Sequence, residues 1–171
     1  METLHTNPPK SSLHESAGAR TAARFAVADR ELRPAMGATA TDEAFIELLH
    51  FYRCRGGMAR EIEVLSHLKC RAFQAGQPAS RPSEFDRAVR FSWGGWTWLP
   101  LFQFNREDLS LRAQPLRVVD ELIPVFDGWE VTRWFAARNT WLRDQLPIDV
   151  MDENLSLVIE AARVDRFIAA G

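Results

Sequence analysis

Four residues have the types and spacing to hold a metal ion: His50, Cys54, His67 and Cys70. The first pair reads HxxxC and the second HxxC, spacings that zinc sites use. Zinc needs its ligands within about 2.3 Å, so the elements carrying the two pairs must bring them to one point. Both pairs lie in segments of helical apolar periodicity joined by Gly56-Gly57. If those helices fold back at the glycines, Cys54 sits beside the turn and Cys70 at the far end. At 1.5 Å rise per residue the two sulfurs are then on the order of 15 Å apart. The expectation is two packed thiols and two ordinary histidines, with no metal and no cofactor.

Acid–base and nucleophilic chemistry find as little support. The acids Glu107-Asp108, Asp120-Glu121 and Asp152-Glu153 are sequence neighbours. On a helix such neighbours point about 100° apart, which suits caps and solvated faces better than a two-carboxylate pair. No GxSxG, glycine-rich phosphate loop or HExxH occurs. No catalytic residue is assigned, and the chain is not expected to be an enzyme.

Binding chemistry is better represented. All six tryptophans fall between Trp93 and Trp141, among arginines and acids. Most should be core, but this is also the composition of protein interfaces. A helix–Gly-Gly–helix over 41–70 has the outline of a helix-turn-helix. Its second helix, starting at Met58, would display Arg60, Ser66 and Lys69, with Arg55 nearby. Residues 53–71 carry five basic and two acidic side chains, so Arg55, Arg60 and Lys69 are the candidate DNA contacts.

These residues need elements to position them. Phe45, Leu48, Leu49 and Tyr52 fall at i, i+3, i+4 and i+7, predicting a helix from Thr41 with Asp42 and Glu43 at its positive end. Met58, Ile62, Leu65 and Leu68 mark the second helix. Residues 74–83 read as a loop, and 83–91 as a short helix running into a strand. Aromatic runs on either side of Gly94-Gly95 predict a tight hairpin, with Trp96 and Trp98 on one face. Pro100 should confine the second arm to an edge or a bulge. Further helices are predicted from Pro115 to Pro124, after the cap Asp127, at Pro147, and after a cap at Asp152, where Leu155, Val158, Ile159 and Ala162 form the stripe.

The fold class is therefore mainly α with one small β-hairpin. The expected division is a flexible arm over 1–24, a helical and helix-turn-helix-like subdomain over 25–88, and a hairpin-plus-helices domain over 89–171. The chain has 171 residues, 46% hydrophobic, and a net charge of −2. Residues 1–90 carry +2 and residues 91–171 carry −4. There are 19 arginines and two lysines, a bias that a GC-rich genome explains. Nothing approaches the ~20 apolar residues of a membrane span, and the first residues show no apolar signal region. Two cysteines are too few for a disulfide framework. The chain reads as soluble and cytoplasmic, with no membrane partner.

From Leu99 onward the residues resemble the Xre/MbcA/ParS antitoxin family. The resemblance rests on Pro100, Phe102, Gln103, Phe104, Trp129, Trp134, Phe135, Asn139, Trp141, Leu142, Pro147 and Asp149, in order and spacing. It covers about 90–171, roughly half the chain. It implies a bacterial toxin–antitoxin protein, mostly helical and homodimeric, whose C-terminal domain covers the active cleft of a RES-domain toxin that consumes NAD. The implied partner contacts are Trp134, Asn139, Trp141, Leu142, Arg143 and Asp149, with Arg166, Phe167 and Gly171 in the tail. Autoregulatory binding to promoter DNA by the N-terminal part is implied as well. The alternatives are a DNA-binding transcriptional regulator and an interaction module without a toxin partner. At one place the chain departs from the family: after Trp-Leu it has Arg143-Asp144-Gln145, where glycines are common.

Overall fold

The computed structural model describes residues 40–76 and 83–171. The expected flexible arm and the expected short helix at 25–38 lie outside them. The described residues form one compact unit, mainly α with a small antiparallel sheet. Its elements are α1 (Ala40–Arg53), β1 (Met58–Arg60), α2 (Glu61–Gln74), a 3-10 turn at Ser83–Arg87, β2 (Phe91–Trp93), β3 (Trp96–Pro100), a 3-10 turn at Leu101–Gln103, α3 (Ala113–Leu122), α4 (Gly128–Ala136), a 3-10 turn at Thr140–Leu142, α5 (Pro147–Val150) and α6 (Leu155–Ala170).

The hairpin forms where expected. Gly94 and Gly95 both have positive φ, 56° and 77°, as a primed turn matched to strand twist requires. A third strand accompanies it. β1 pairs with β3 through Met58–Pro100, Ala59–Leu99 and Arg60–Trp98, giving the order β1-β3-β2. Two expectations change with that strand. The segment after Gly56-Gly57 opens as a strand rather than at the start of a helix, so the helix-turn-helix outline becomes helix–strand–helix. β3 is the central strand, not an edge. Pro100 is tolerated because it is the last residue of the strand, and the Leu101 amide continues the ladder to Gly57 O at 2.9 Å. Because β1 belongs to the same sheet as the hairpin, the expected boundary at 88/89 does not separate two compact bodies.

Both sheet faces are covered. Leu99 packs with Val64 of α2, Phe85, Ala88 and Phe104 on one side. On the other, Trp93 stacks between Phe45 of α1, at 5.0 Å, and Trp129 of α4, at 6.0 Å. Trp96 and Trp98 share this second face. Trp96 at its outer end is exposed, and the Arg60 guanidinium lies over both indoles, 4.5 and 5.6 Å from their ring centres. Gln103 ties the hairpin to the segment before it: its Oε1 accepts from Val89 N–H at 2.8 Å, and its Nε2 donates to Val89 O and Pro100 O, each at 2.9 Å. A side-chain amide thus does the work of a missing strand.

The larger core joins α1, α3, α4, α5 and α6 around Tyr52, Phe102, Val118, Leu122, Val131, Phe135, Leu142 and Val158. Tyr52 stacks on Phe102 at 5.6 Å, and its hydroxyl donates to Thr132 O at 2.7 Å. Burial pushes its phenol far above the usual range. α4 begins as the sequence predicts, with a capping box in which Asp127 accepts from Glu130 N–H and Glu130 accepts from Asp127 N–H. α6 does not. Its cap is Asn154, which accepts from Leu157 N–H at 3.1 Å, while Asp152 pairs with Arg112. Either residue type can cap a helix, and the long-range partner at Arg112 distinguishes them.

Among the described residues, no helix is long and apolar enough to cross a membrane.

Candidate functional site

The residues singled out between Trp134 and Gly171 do not form one contact surface. They separate into a buried frame and an exposed set that the frame supports.

Asp165 of α6 is the centre of the frame. Its Oδ2 accepts from Trp134 Nε1 at 2.8 Å and from Asn139 Nδ2 at 2.7 Å. Asn139 is satisfied on every side. Its Oδ1 accepts from Trp141 N–H, its carbonyl accepts from the Leu142 and Asp144 amides, and its own amide donates to Gln145 O. Residues 139–145 are thereby closed on themselves and fastened to α4 and α6. Leu142 points into the core with no exposed surface, and Trp134 and Asn139 are buried. These three therefore position the loop, and their side chains are not available to touch a partner directly.

The outward side of the loop is different. Trp141 is 52% exposed. Arg143 and Asp144 follow it in left-handed backbone, φ 56° and 59°, and Gln145 N–H closes the turn on Leu142 O at 3.1 Å. Left-handed backbone costs an L-residue with a Cβ roughly 1–2 kcal/mol. Arg143 and Asp144 thus stand where glycine would fit at less cost. Arg138 donates to Asp144 O at 2.8 Å and helps to hold the turn. Replacing Arg143 by glycine should therefore raise stability, by about 0.5–1 kcal/mol after glycine's own entropy cost. A urea midpoint equal to or below that of the parent chain would show that the turn is not strained.

Three more large apolar side chains flank the C-terminal half of α6: Phe167 at 79%, Ile168 at 57% and Ile123 at 54% exposed. Each of the four lies within two residues of a contact made by residues 163–166 or directly follows that stretch. Trp141 follows Asn139, and Ile123 follows Glu121, the residue that accepts from both Arg163 and Arg166 at 2.8–2.9 Å. At about 100° per residue Phe167 projects opposite the buried stripe of Val158, Ala162 and Ala169. Ile168 lies one turn beyond Asp165, on the side of the Trp141 loop. Gly171 ends the chain, exposed.

Glu121 holds this end of α6 against α3. The hydrogen bond from Arg163 is the main reason its carboxyl lies below the usual 4.5, with the charges of Arg163 and Arg166 adding to it. A carboxyl whose folded value is depressed adds stability above its unfolded value and loses it as pH falls through the folded one. The melting temperature of Glu121→Gln should therefore trail the parent at pH 6–7. The gap should close on acidification below about 4; a gap that persists in acid would exclude the ionic cause.

The other nominated residues lie elsewhere. Asp149 is held by Arg55 in a two-pronged pair, Nε–Oδ1 2.9 Å and Nη2–Oδ2 3.0 Å. This hydrogen bond is the main reason the Arg55 pKa is raised. Of the proposed DNA contacts, Arg55 is thus committed to a carboxylate and Arg60 to two indoles, while Lys69 is exposed on α2. Cys54 and Cys70 are free thiols, exposed rather than packed. Among the described residues no group of three or more His, Cys, Asp or Glu side chains could hold a metal ion.

Sequence reasoning missed Asp165, Glu121 and Ile123. One signal was present for Asp165: it continues the apolar stripe of α6 at Ala162+3 and Ala169−4, where a carboxylate needs buried partners.

No protein-family model matches the chain, and neither a curated protein nor a solved structure matches it.

Proposed function

We propose that the chain is a protein-binding module of the antitoxin type, which docks the Trp141 loop and the C-terminal half of α6 into the active cleft of a RES-type, NAD-consuming toxin. The observation that carries the reading is the set Trp141, Phe167, Ile168 and Ile123, large apolar side chains exposed on the loop fastened to α6, on the last turn of α6 itself and on the end of α3 that Glu121 ties to it. Tryptophan and other large anchors on a rigid support are what interface hot spots consist of. The frame of Asp165, Trp134 and Asn139 keeps the loop in one conformation, which lowers the ordering cost of association. Charged side chains at a left-handed turn beside Trp141 give the surface a rim with shape. The choice of a toxin rests on the ordered resemblance from Pro100 to Asp149.

The test is binding and inhibition of a RES-domain protein encoded beside the gene, using the full chain and Trp141→Ala/Phe167→Ala. The parent should bind and inhibit, and the double variant should lose at least about 30-fold in affinity, the effect of one hot spot of ~2 kcal/mol. Equal binding by both proteins would remove the surface from the interface. No binding by the parent would remove the toxin. Concentration-dependent dimerisation abolished by the same double variant would instead make this surface the homodimer contact.

A further inference from the structure

A second site lies away from the α6 surface. The end of α1, the segment 101–112 and α5 border a half-open cleft of about 770 Å3, within the usual size range of small-ligand sites. Four guanidinium groups line it, those of Arg53, Arg55, Arg106 and Arg112, with two carboxylates, Asp149 and Asp152. We propose that this cleft binds a phosphate group carrying two or more negative charges, gripped by Arg53 and Arg106.

The argument begins with which cations are already in use. Arg55 has most of its donors in use: Nε and Nη2 bind Asp149, and Nη1 lies at 3.4 Å from Phe51 O and 3.5 Å from Cys54 Sγ. Arg112 divides its donors between Phe102 O at 3.0 Å and Asp152. These two arginines are braces, and they neutralise the two carboxylates. Arg53 and Arg106 have no hydrogen-bond or ion-pair partner among the described residues, and both line the same cleft. The C-terminal end of α1 carries roughly half a negative charge, which leaves the cleft positive by more than one. That is opposite in sign to the chain as a whole, at −2.

The surroundings strengthen the effect. Phe102, Phe104 and Ile148 form an apolar, buried floor, and charges beside such a wall interact more strongly than in open water. A guanidinium fork matches phosphate oxygens two at a time, which favours phosphate over a point-like anion. A small phosphate ester and a nucleic-acid backbone both present phosphate oxygens, the terminal ester with up to two charges and each backbone diester with one, so the experiment has to separate them.

Isothermal titration of the full chain at low salt uses inorganic pyrophosphate, a short mixed-sequence DNA duplex and a hexaglutamate peptide. Two variants remove the same charge: Arg53→Ala/Arg106→Ala inside the cleft, and Arg87→Ala/Arg117→Ala outside it. Pyrophosphate should bind once per chain, and the cleft variant should weaken it at least about tenfold while the outer variant leaves it unchanged. DNA that does not displace pyrophosphate would assign the site to small phosphates. DNA that competes with it, and is lost in the same variant, would assign it to a nucleic-acid phosphate. Absence of pyrophosphate binding, equal loss in both variants, or binding of hexaglutamate in preference would overturn the proposal.

Discussion

Replacing Gly128 with alanine should destabilise the protein by about 3 kcal/mol or more, the range of severe overpacking. An ideal Cβ at this position would lie 1.8 Å from Arg90 O and 2.8 Å from Arg90 C. Both atoms are backbone, so no rotamer change relieves the clash. Neither side can easily retreat. The start of α4 is held by the reciprocal Asp127–Glu130 cap. The strip ending at Arg90 is held by Gln103 on Val89 and by the Arg90 side chain, which donates to Glu61 and to Phe85 O. Equilibrium urea unfolding measures the effect. A midpoint within error of the parent would mean that α4 does not pack against residues 89–90 as described.

The second large effect is expected at Asp165, and it separates stability from charge. Asp165→Ala leaves the Trp134 and Asn139 donors without their acceptor in a partly buried setting. The cost should be about 2–4 kcal/mol, from one to two unsatisfied groups. Asp165→Asn is the informative companion. Both bonds go to the single oxygen Oδ2, and an amide oxygen in that place can accept both. It forfeits only the charge assistance, so the loss should be about 1 kcal/mol. The same pair of variants probes the proposed interface, because Asp165 touches the Trp141 loop only through Asn139. The alanine variant should release the loop and weaken partner binding even at temperatures where the protein remains folded. The asparagine variant should restore most of both. Equal losses in the two variants would show that charge, not the shared acceptor, is what matters.

The two experiments test different kinds of information. The strength of a cap or a turn is set by residues three or four positions apart, and these were legible in the chain. Asp127 announced α4, Gly94-Gly95 announced the hairpin, and Phe45, Leu48 and Tyr52 announced the buried stripe of α1. Each signal is local: a side-chain oxygen within reach of a free amide, a φ that only glycine adopts cheaply, or a period of 3.6.

β1 carried no such signal. Three residues between a glycine pair and a helix have no intrinsic reason to be extended, and what makes them a strand is the open edge of β3, some 40 positions away. The same holds for the site. In the family resemblance, Trp134, Asn139, Trp141 and Leu142 were equal candidates for contact. Burial divided them, turning three inward and one outward, and that division depends on where α6 packs. Arg55 and Asp149 are 94 residues apart, and nothing in either neighbourhood announces the other. By itself the sequence determined the helices, the hairpin and the kind of side chain available for binding. The tertiary structure alone decided which of those side chains brace the fold and which face solvent, because pairing across the chain is set by packing geometry and leaves no periodic trace.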